Sequence, residues 1–332
     1  MKTGWLSIGL AAALAVGGCG GGEQKEAGST GDAKKFKVAL LTPTEVNDSG
    51  WSALAYEGLM GIKEGLGAEV NNVVAASPQE RRDAMRGYAQ QGYNLVIGHG
   101  YEYNQDGIEI GKDFPNTVFV SSSGDKTAAN VGTFRFYLEQ GMYLLGMAAA
   151  KMSKSGVIGM VGGPEVPSID STFLGFESGA KSVRPDIKVL KAYTGSNDDV
   201  NKAKQQTLAF IDQGADFIIH QANAAAGGVF EACKERKVLA FGTNSDQQSA
   251  APDTVLASAV IIARPAFMGL AEDVRDGTYK GEVRLVGMDS GAVGIVWNES
   301  LKAKVPADVL KLVEAVAAKI RNGEVTVPKK EF

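Results

Sequence analysis

From residue 36 onward, short apolar and β-branched runs alternate with amphipathic stretches of about a dozen residues, a pattern that restricts the chain to parallel βαβ units. Strands are predicted at 37–41, 71–75, 95–99, 118–121, 157–161, 189–193, 217–220, 238–242 and 255–262. Stretches such as "GWSALAYEGLMGIKEGL" and "DDVNKAKQQTLAFIDQG" supply the helices between them. A weak repeat divides the pattern in two. "AQQGYNLVIGHG" and "FIDQGADFIIHQ", about 120 residues apart, share a helix ending in Gln-Gly, a two-residue connector and a strand closing near a histidine. The expectation is an α/β protein of two Rossmann-like lobes with parallel sheets. The first would span 36–151 plus a returning helix at 265–276, and the second 152–263 plus a tail at 283–332.

The N-terminus reads differently. Lys2 and the apolar run "LSIGLAAALAV" have the layout of a secretory signal peptide over residues 1–19, too short to remain as a spanning helix. Val16-Gly17-Gly18-Cys19 resembles a bacterial lipobox, which makes Cys19 the expected lipidation site and residues 20–35, polar and Gly-rich, a flexible tether. Export and lipid anchoring to a bacterial membrane, on its periplasmic or extracellular face, follow as the expectation; the alternative is an ordinary cleavage site beside an incidental cysteine. Cys233 then stands alone, so no internal disulfide forms in the mature chain, and its place on a helix before a strand suits a buried thiol better than a nucleophile.

The net charge of −4 and the lack of a long Lys/Arg block argue against a nucleic-acid partner. No P-loop Gly-Lys-Ser/Thr and no G-x-G-x-x-G is present, so no nucleotide cofactor is expected. Neither a metal-ligand cluster nor a nucleophile with its base stands at a working spacing, and the chain is not expected to be an enzyme.

The lipobox, "KVALLTP" with a polar loop ending in Gly-Trp, "YAQQGYNLVIGHGYEY", "FPNTVFVSSSG", "EQGMYLLGMAAAKMSKSGVIGMVGG", "GFESGAKSVRPDIKV", "AFGTNSDQ" and the closing "RNGEVTVP" together resemble the basic membrane protein family. Its members are substrate-binding lipoproteins of ABC transporters with the type I periplasmic-binding, or Venus-flytrap, fold. The resemblance implies a monomeric receptor that closes two lobes over a purine base or nucleoside and delivers it to an ABC permease. It implies aromatic side chains sandwiching the base. Nucleoside receptors of the family carry an aspartate where this chain has Asn244 and a lysine where it has Asp289. Gly50-Trp51 is similar to the base-binding branch.

Open parallel sheets bind ligands beyond the carboxyl ends of their strands, so the loops there hold the candidates. Trp51, at a helix start after the first strand, reads as a stacking plate or as an indole folded onto its own lobe. Asn47 and Asp48 suit either a ligand edge or helix capping. His99, Tyr101 and Tyr103 follow the third strand, and at least one is expected to face the cleft. In the second lobe Phe173 falls on a helix as core or contact, and His220 and Asn223 follow a strand end among small residues. Asn244 is the favoured contact of its loop, with Asp246 a contact or an Asx-turn residue, and Asp289 faces the cleft if the family register holds. Two other classes stay open: a receptor for a sugar or signalling molecule that feeds a sensor, and a nucleoside hydrolase, for which a carboxylate cluster is missing.

Overall fold

The structure, a computed structural model, describes residues 35–46 and 50–331. Cys19 and the signal and tether segments therefore lie outside the described residues, as do Asn47 and Asp48. The folded unit begins at Phe36.

Its first half runs β1 (Lys37–Thr42), α1 (Trp51–Leu66), β2 (Glu69–Val74), α2 (Pro78–Gln90), β3 (Leu95–Gly98), α3 (Glu102–Gly111), β4 (Val118–Ser121) and β5 (Val131–Phe136). Next come α4 (Glu139–Met152), β6 (Val157–Gly162), α5 (Pro167–Val183), β7 (Lys188–Tyr193), α6 (Val200–Asp212), β8 (Phe217–Gln221), α7 (Ala226–Arg236), β9 (Leu239–Asn244) and β10 (Val255–Ile261). The chain closes with α8 (Ala263–Arg275), β11 (Val283–Val286), β12 (Val293–Trp297) and α9 (Ala307–Arg321).

The strands form two six-stranded sheets, ordered β11-β5-β4-β3-β1-β2 and β12-β10-β9-β8-β6-β7. All neighbours pair in parallel except β12, which runs antiparallel to β10. Helices cover both faces, so central strands such as "LLT" of β1 and "FIIHQ" of β8 are buried throughout. The two-lobed α/β architecture expected from the repeat is the one observed.

Its boundaries differ from the sequence-based ones. The chain leaves the first sheet after β5, because α4 packs on α5, α9, β10 and β12 and so belongs to the second lobe, not to a first lobe ending at 151. Gly146 and Gly179 make that packing possible: a methyl at either would overlap a backbone carbonyl, of Phe176 and Tyr143 respectively. The "GMAAAKMSKSG" stretch is thus a close helix contact. Residues 283–332 also divide, since β11 pairs with β5 in the first sheet while β12 and α9 join the second. β11 and β12 are joined by a turn that carries Asp289.

The lobes are joined where these crossings lie side by side. Tyr137 N donates to the Val286 carbonyl at 2.8 Å, Ile262 N to the Ala292 carbonyl at 2.9 Å, and Met288 N to the buried Gln140 Oε1 at 2.7 Å. These short crossings are thus tied to one another by hydrogen bonds.

Candidate ligand-binding site

Both sheets reverse strand order at one point, between β1 and β3 in the first and between β6 and β8 in the second. At such a point the loops on either side diverge beyond the carboxyl ends, and that is where open parallel sheets receive ligands. Trp51 starts α1 after β1, and His99 follows β3, so the pair spans the first switch point.

They are locked together. The indole stacks on the imidazole with centroids 3.9 Å apart and planes 22° off parallel. Trp51 Nε1 donates to the His99 carbonyl at 3.2 Å, and His99 Nε2 donates to the Trp51 carbonyl at 2.9 Å. That carbonyl fixes the proton on Nε2, so in the neutral ring Nδ1 accepts from Ser122 Oγ, 2.8 Å away at the end of β4. Phe136, the last residue of β5, meets the indole edge-on at 6.3 Å. His99 is wholly buried while Trp51 is half-buried, so the indole is the member of the stack that reaches toward solvent.

The other candidates of the first lobe separate. Tyr101 is 59% exposed at the start of α3. Tyr103 is a correction: it is fully buried, its hydroxyl donates to the Ala75 carbonyl at 2.9 Å, and the Arg81 guanidinium lies over its ring. Helical periodicity turns Tyr103 under the helix while Tyr101 stays outside. His99, the third of these candidates, is likewise wholly buried, beneath the half-buried Trp51 ring.

In the second lobe, Phe173 is a core residue, buried against Tyr193 at 5.8 Å, and not a ligand contact. His220 is corrected for a different reason. Its Nε2 donates to Gln247 Oε1 at 2.7 Å and its Nδ1 accepts from Ala222 N at 3.3 Å, leaving no ring nitrogen for a ligand. Gln247 Oε1 also accepts from Thr243 N at 2.9 Å, so the imidazole ties the loop after β8 to the loop after β9. Asp246 accepts from Gln248 N at 3.1 Å and from its side chain, the Asx-turn reading. Asn244 is half-buried, in left-handed backbone at φ 68°, and donates to Gln221 Oε1 at 3.3 Å. Asn223 is exposed and left-handed at φ 45°, and Asp289 is exposed in the turn between β11 and β12. Sequence reasoning missed Ser122, Phe136 and Gln247, which hold the loops in place. Their one available signal is position at a strand end.

Two further groups are closed to a ligand. Burial would push the Asp170 carboxyl up, but hydrogen bonds from Lys330, Tyr193 and Lys191 outweigh it and hold the group well below the usual range. Burial raises the Cys233 thiol to about 12, which keeps it protonated and inert. Among the described residues no group of three or more His, Cys, Asp or Glu is placed to hold a metal ion, and no helix is long and apolar enough to cross a membrane.

The buried His220 gives the site an acid limit. Burial lowers its pKa from 6.5 to about 4, with the Gln247 hydrogen bond opposing. A depressed histidine pKa means that the unfolded chain binds the proton more readily, so stability is complete above pH 6.5 and falls as pH drops toward 4. Urea unfolding should show about 2 kcal/mol of this loss between pH 7.5 and pH 5. His220→Gln should remove that share; an acid limb of unchanged slope in the variant would contradict it.

The sequence and the architecture are matched by known proteins. A family model, Bmp, described as ABC transporter substrate-binding protein PnrA-like, matches residues 35–331. A purine-binding protein of Brucella abortus (strain 2308) is 32% identical over 88% of this chain and 82% of its own. The transcriptional activator protein med of Bacillus subtilis (strain 168) is 30% identical over 77% of this chain and 80% of its own. In fold, a solute-binding protein of an ABC transporter system from Aeropyrum pernix K1 matches with a TM-score of 0.77 over 90% of this chain and 94% of that one, at 20% identity.

Proposed function

We propose that this chain, which belongs to the Bmp family of PnrA-like ABC transporter substrate-binding proteins, binds a purine base or nucleoside between its two lobes and presents it to an ABC permease without chemical turnover. The observation that carries the purine reading is the half-buried indole held over His99 at the β1/β3 switch point, a π surface of the size and placement that a purine ring stacks on. The purine-binding relative from Brucella abortus supports it. The amide pair Asn244 and Gln221, at adjacent strand ends of the second lobe, offers donors and acceptors for the edge of a base. Cys19 is the proposed lipid attachment that keeps the receptor at the membrane.

Closure is a population shift. A ligand touching both lobes only in the closed form stabilises that form by its differential affinity, and the hinge at 137–140, 262 and 286–292 accommodates the rotation. Thermal melting in the presence of adenine, guanine, hypoxanthine, their nucleosides and a set of sugars tests the reading. Ligand at about 100 times its Kd stabilises the folded form by about 2.7 kcal/mol, a clear rise in Tm. A rise with purines is expected; a rise with sugars alone would refute the proposal.

A further inference from the structure

We infer that His99 is a positioning residue that fixes Trp51 as a one-faced plate, so that the site accepts a flat ring on a single side of the indole. This rests on the reading of Trp51 as the ligand plate. Two restraints act on the indole itself, the stack at 3.9 Å and the hydrogen bond from Nε1 to the His99 carbonyl at 3.2 Å, and two more fix the imidazole beneath it, from Nε2 to the Trp51 carbonyl at 2.9 Å and from Ser122 Oγ to Nδ1 at 2.8 Å. An exposed tryptophan samples several rotamers, and a ligand that stacks on it must offset the entropy of ordering it. Here the ordering precedes binding. With the indole N–H donated to the His99 carbonyl and one face covered by the imidazole, the ring offers a ligand only its outer π face. Recognition of the ligand's edge must come from other groups, and the plate selects for flatness.

The arrangement also couples three loops. Ser122 follows β4, His99 follows β3 and Trp51 opens α1, so one imidazole sets the relative position of all three at the switch point. Its counterpart in the repeat, His220, joins two loops of the second lobe through Gln247 but stacks on no exposed aromatic, its ring meeting buried Phe230 edge-on at 5.2 Å. Among the described residues His220 therefore carries no such plate.

Three variants of the whole protein test this: His99→Gln, His99→Phe and Ser122→Ala, each followed by calorimetric titration with adenine and by near-UV circular dichroism without ligand. The Trp51 contribution to the spectrum is defined by Trp51→Phe. Loss of the stack and of the imidazole's hydrogen bond to the Trp51 carbonyl should raise the Kd for adenine about 3- to 10-fold and flatten the Trp51 band, although the indole N–H keeps its bond to the backbone carbonyl of residue 99. His99→Phe keeps a ring beneath the indole and should fall between Gln and wild type. If His99→Gln fails to fold, Ser122→Ala carries the test, with a smaller rise in Kd and a shifted Trp51 band expected. An unchanged Kd or an unchanged Trp51 band in the informative variant overturns the inference. Should the wild type bind no purine, the proposed ligand class fails separately, and the spectrum alone decides whether His99 fixes the indole.

Discussion

Trp51→Ala should raise the Kd for adenine about 5- to 150-fold, because a base stacked on an aromatic side chain gains about 1–3 kcal/mol that truncation removes. The loss should be of similar size for adenine and hypoxanthine. A π face does not read the ring's edge, and the indole N–H is already donated to the His99 carbonyl. Trp51→Phe should lose less, since it keeps a ring. The fold should survive, because the indole is only half-buried and β1, β3 and β4 are paired independently of it. Calorimetric titration of both variants with both bases provides the check. Titration curves indistinguishable from wild type would leave Trp51 as part of its own lobe's packing and nothing more.

The same residue shows where sequence reading succeeds and where it stops. The alternation of apolar runs and amphipathic stretches makes the βα order readable, and the Gln-Gly repeat makes two lobes readable, because hydrophobic periodicity and turn chemistry are local properties. β5 escaped because Gly132 and Arg135 interrupt what would be an apolar run, although Arg135 is buried there. The allegiance of α4 escaped because an amphipathic helix does not reveal which sheet it covers. At the strand ends, position was legible and direction was not. His99 and His220 are polar residues at carboxyl ends, which suggests ligand contact, yet each is enclosed with both ring nitrogens engaged. Tyr103 lies two residues from exposed Tyr101 and points the opposite way into the core. Such facts depend on partners far away in sequence, 48 residues for Trp51 and His99.

Arg135→Ala should lower the unfolding free energy by about 3–5 kcal/mol at pH 8, the usual cost of leaving a buried charge without its partner. Arg135, the residue before Phe136 in β5, lies on the opposite side of the strand and reaches across to the second lobe. It pairs with Glu139 at the start of α4, donates to Ser171 Oγ of α5 at 2.9 Å, and donates to the Lys330 carbonyl of the C-terminal tail at 2.8 Å. Ser171 in turn donates to Glu139 and accepts from Lys330 N at 2.8 Å, while Tyr137 donates to the Val327 carbonyl, so the tail is stitched to both helices. Glu139 is 1% exposed and its Oε2 has no partner among the described residues. Burial raises its pKa, and Arg135 and Ser171 pull against that rise. Without the guanidinium the rise is unopposed by its main counterweight. A carboxyl whose folded pKa lies above its unfolded value favours the protonated folded form, so its contribution is present below the unfolded pKa and lost as pH rises. The deficit of Arg135→Ala should therefore be largest at pH 8 and shrink steadily toward pH 5. Adding Glu139→Gln should recover much of it at pH 8 and abolish the pH dependence, because the charge left behind is then removed. Urea unfolding of the single and double variants at both pH values measures this. A deficit equal at pH 5 and pH 8 would mean that lost packing of the Arg135 stem, and not the stranded Glu139 carboxylate, sets the cost.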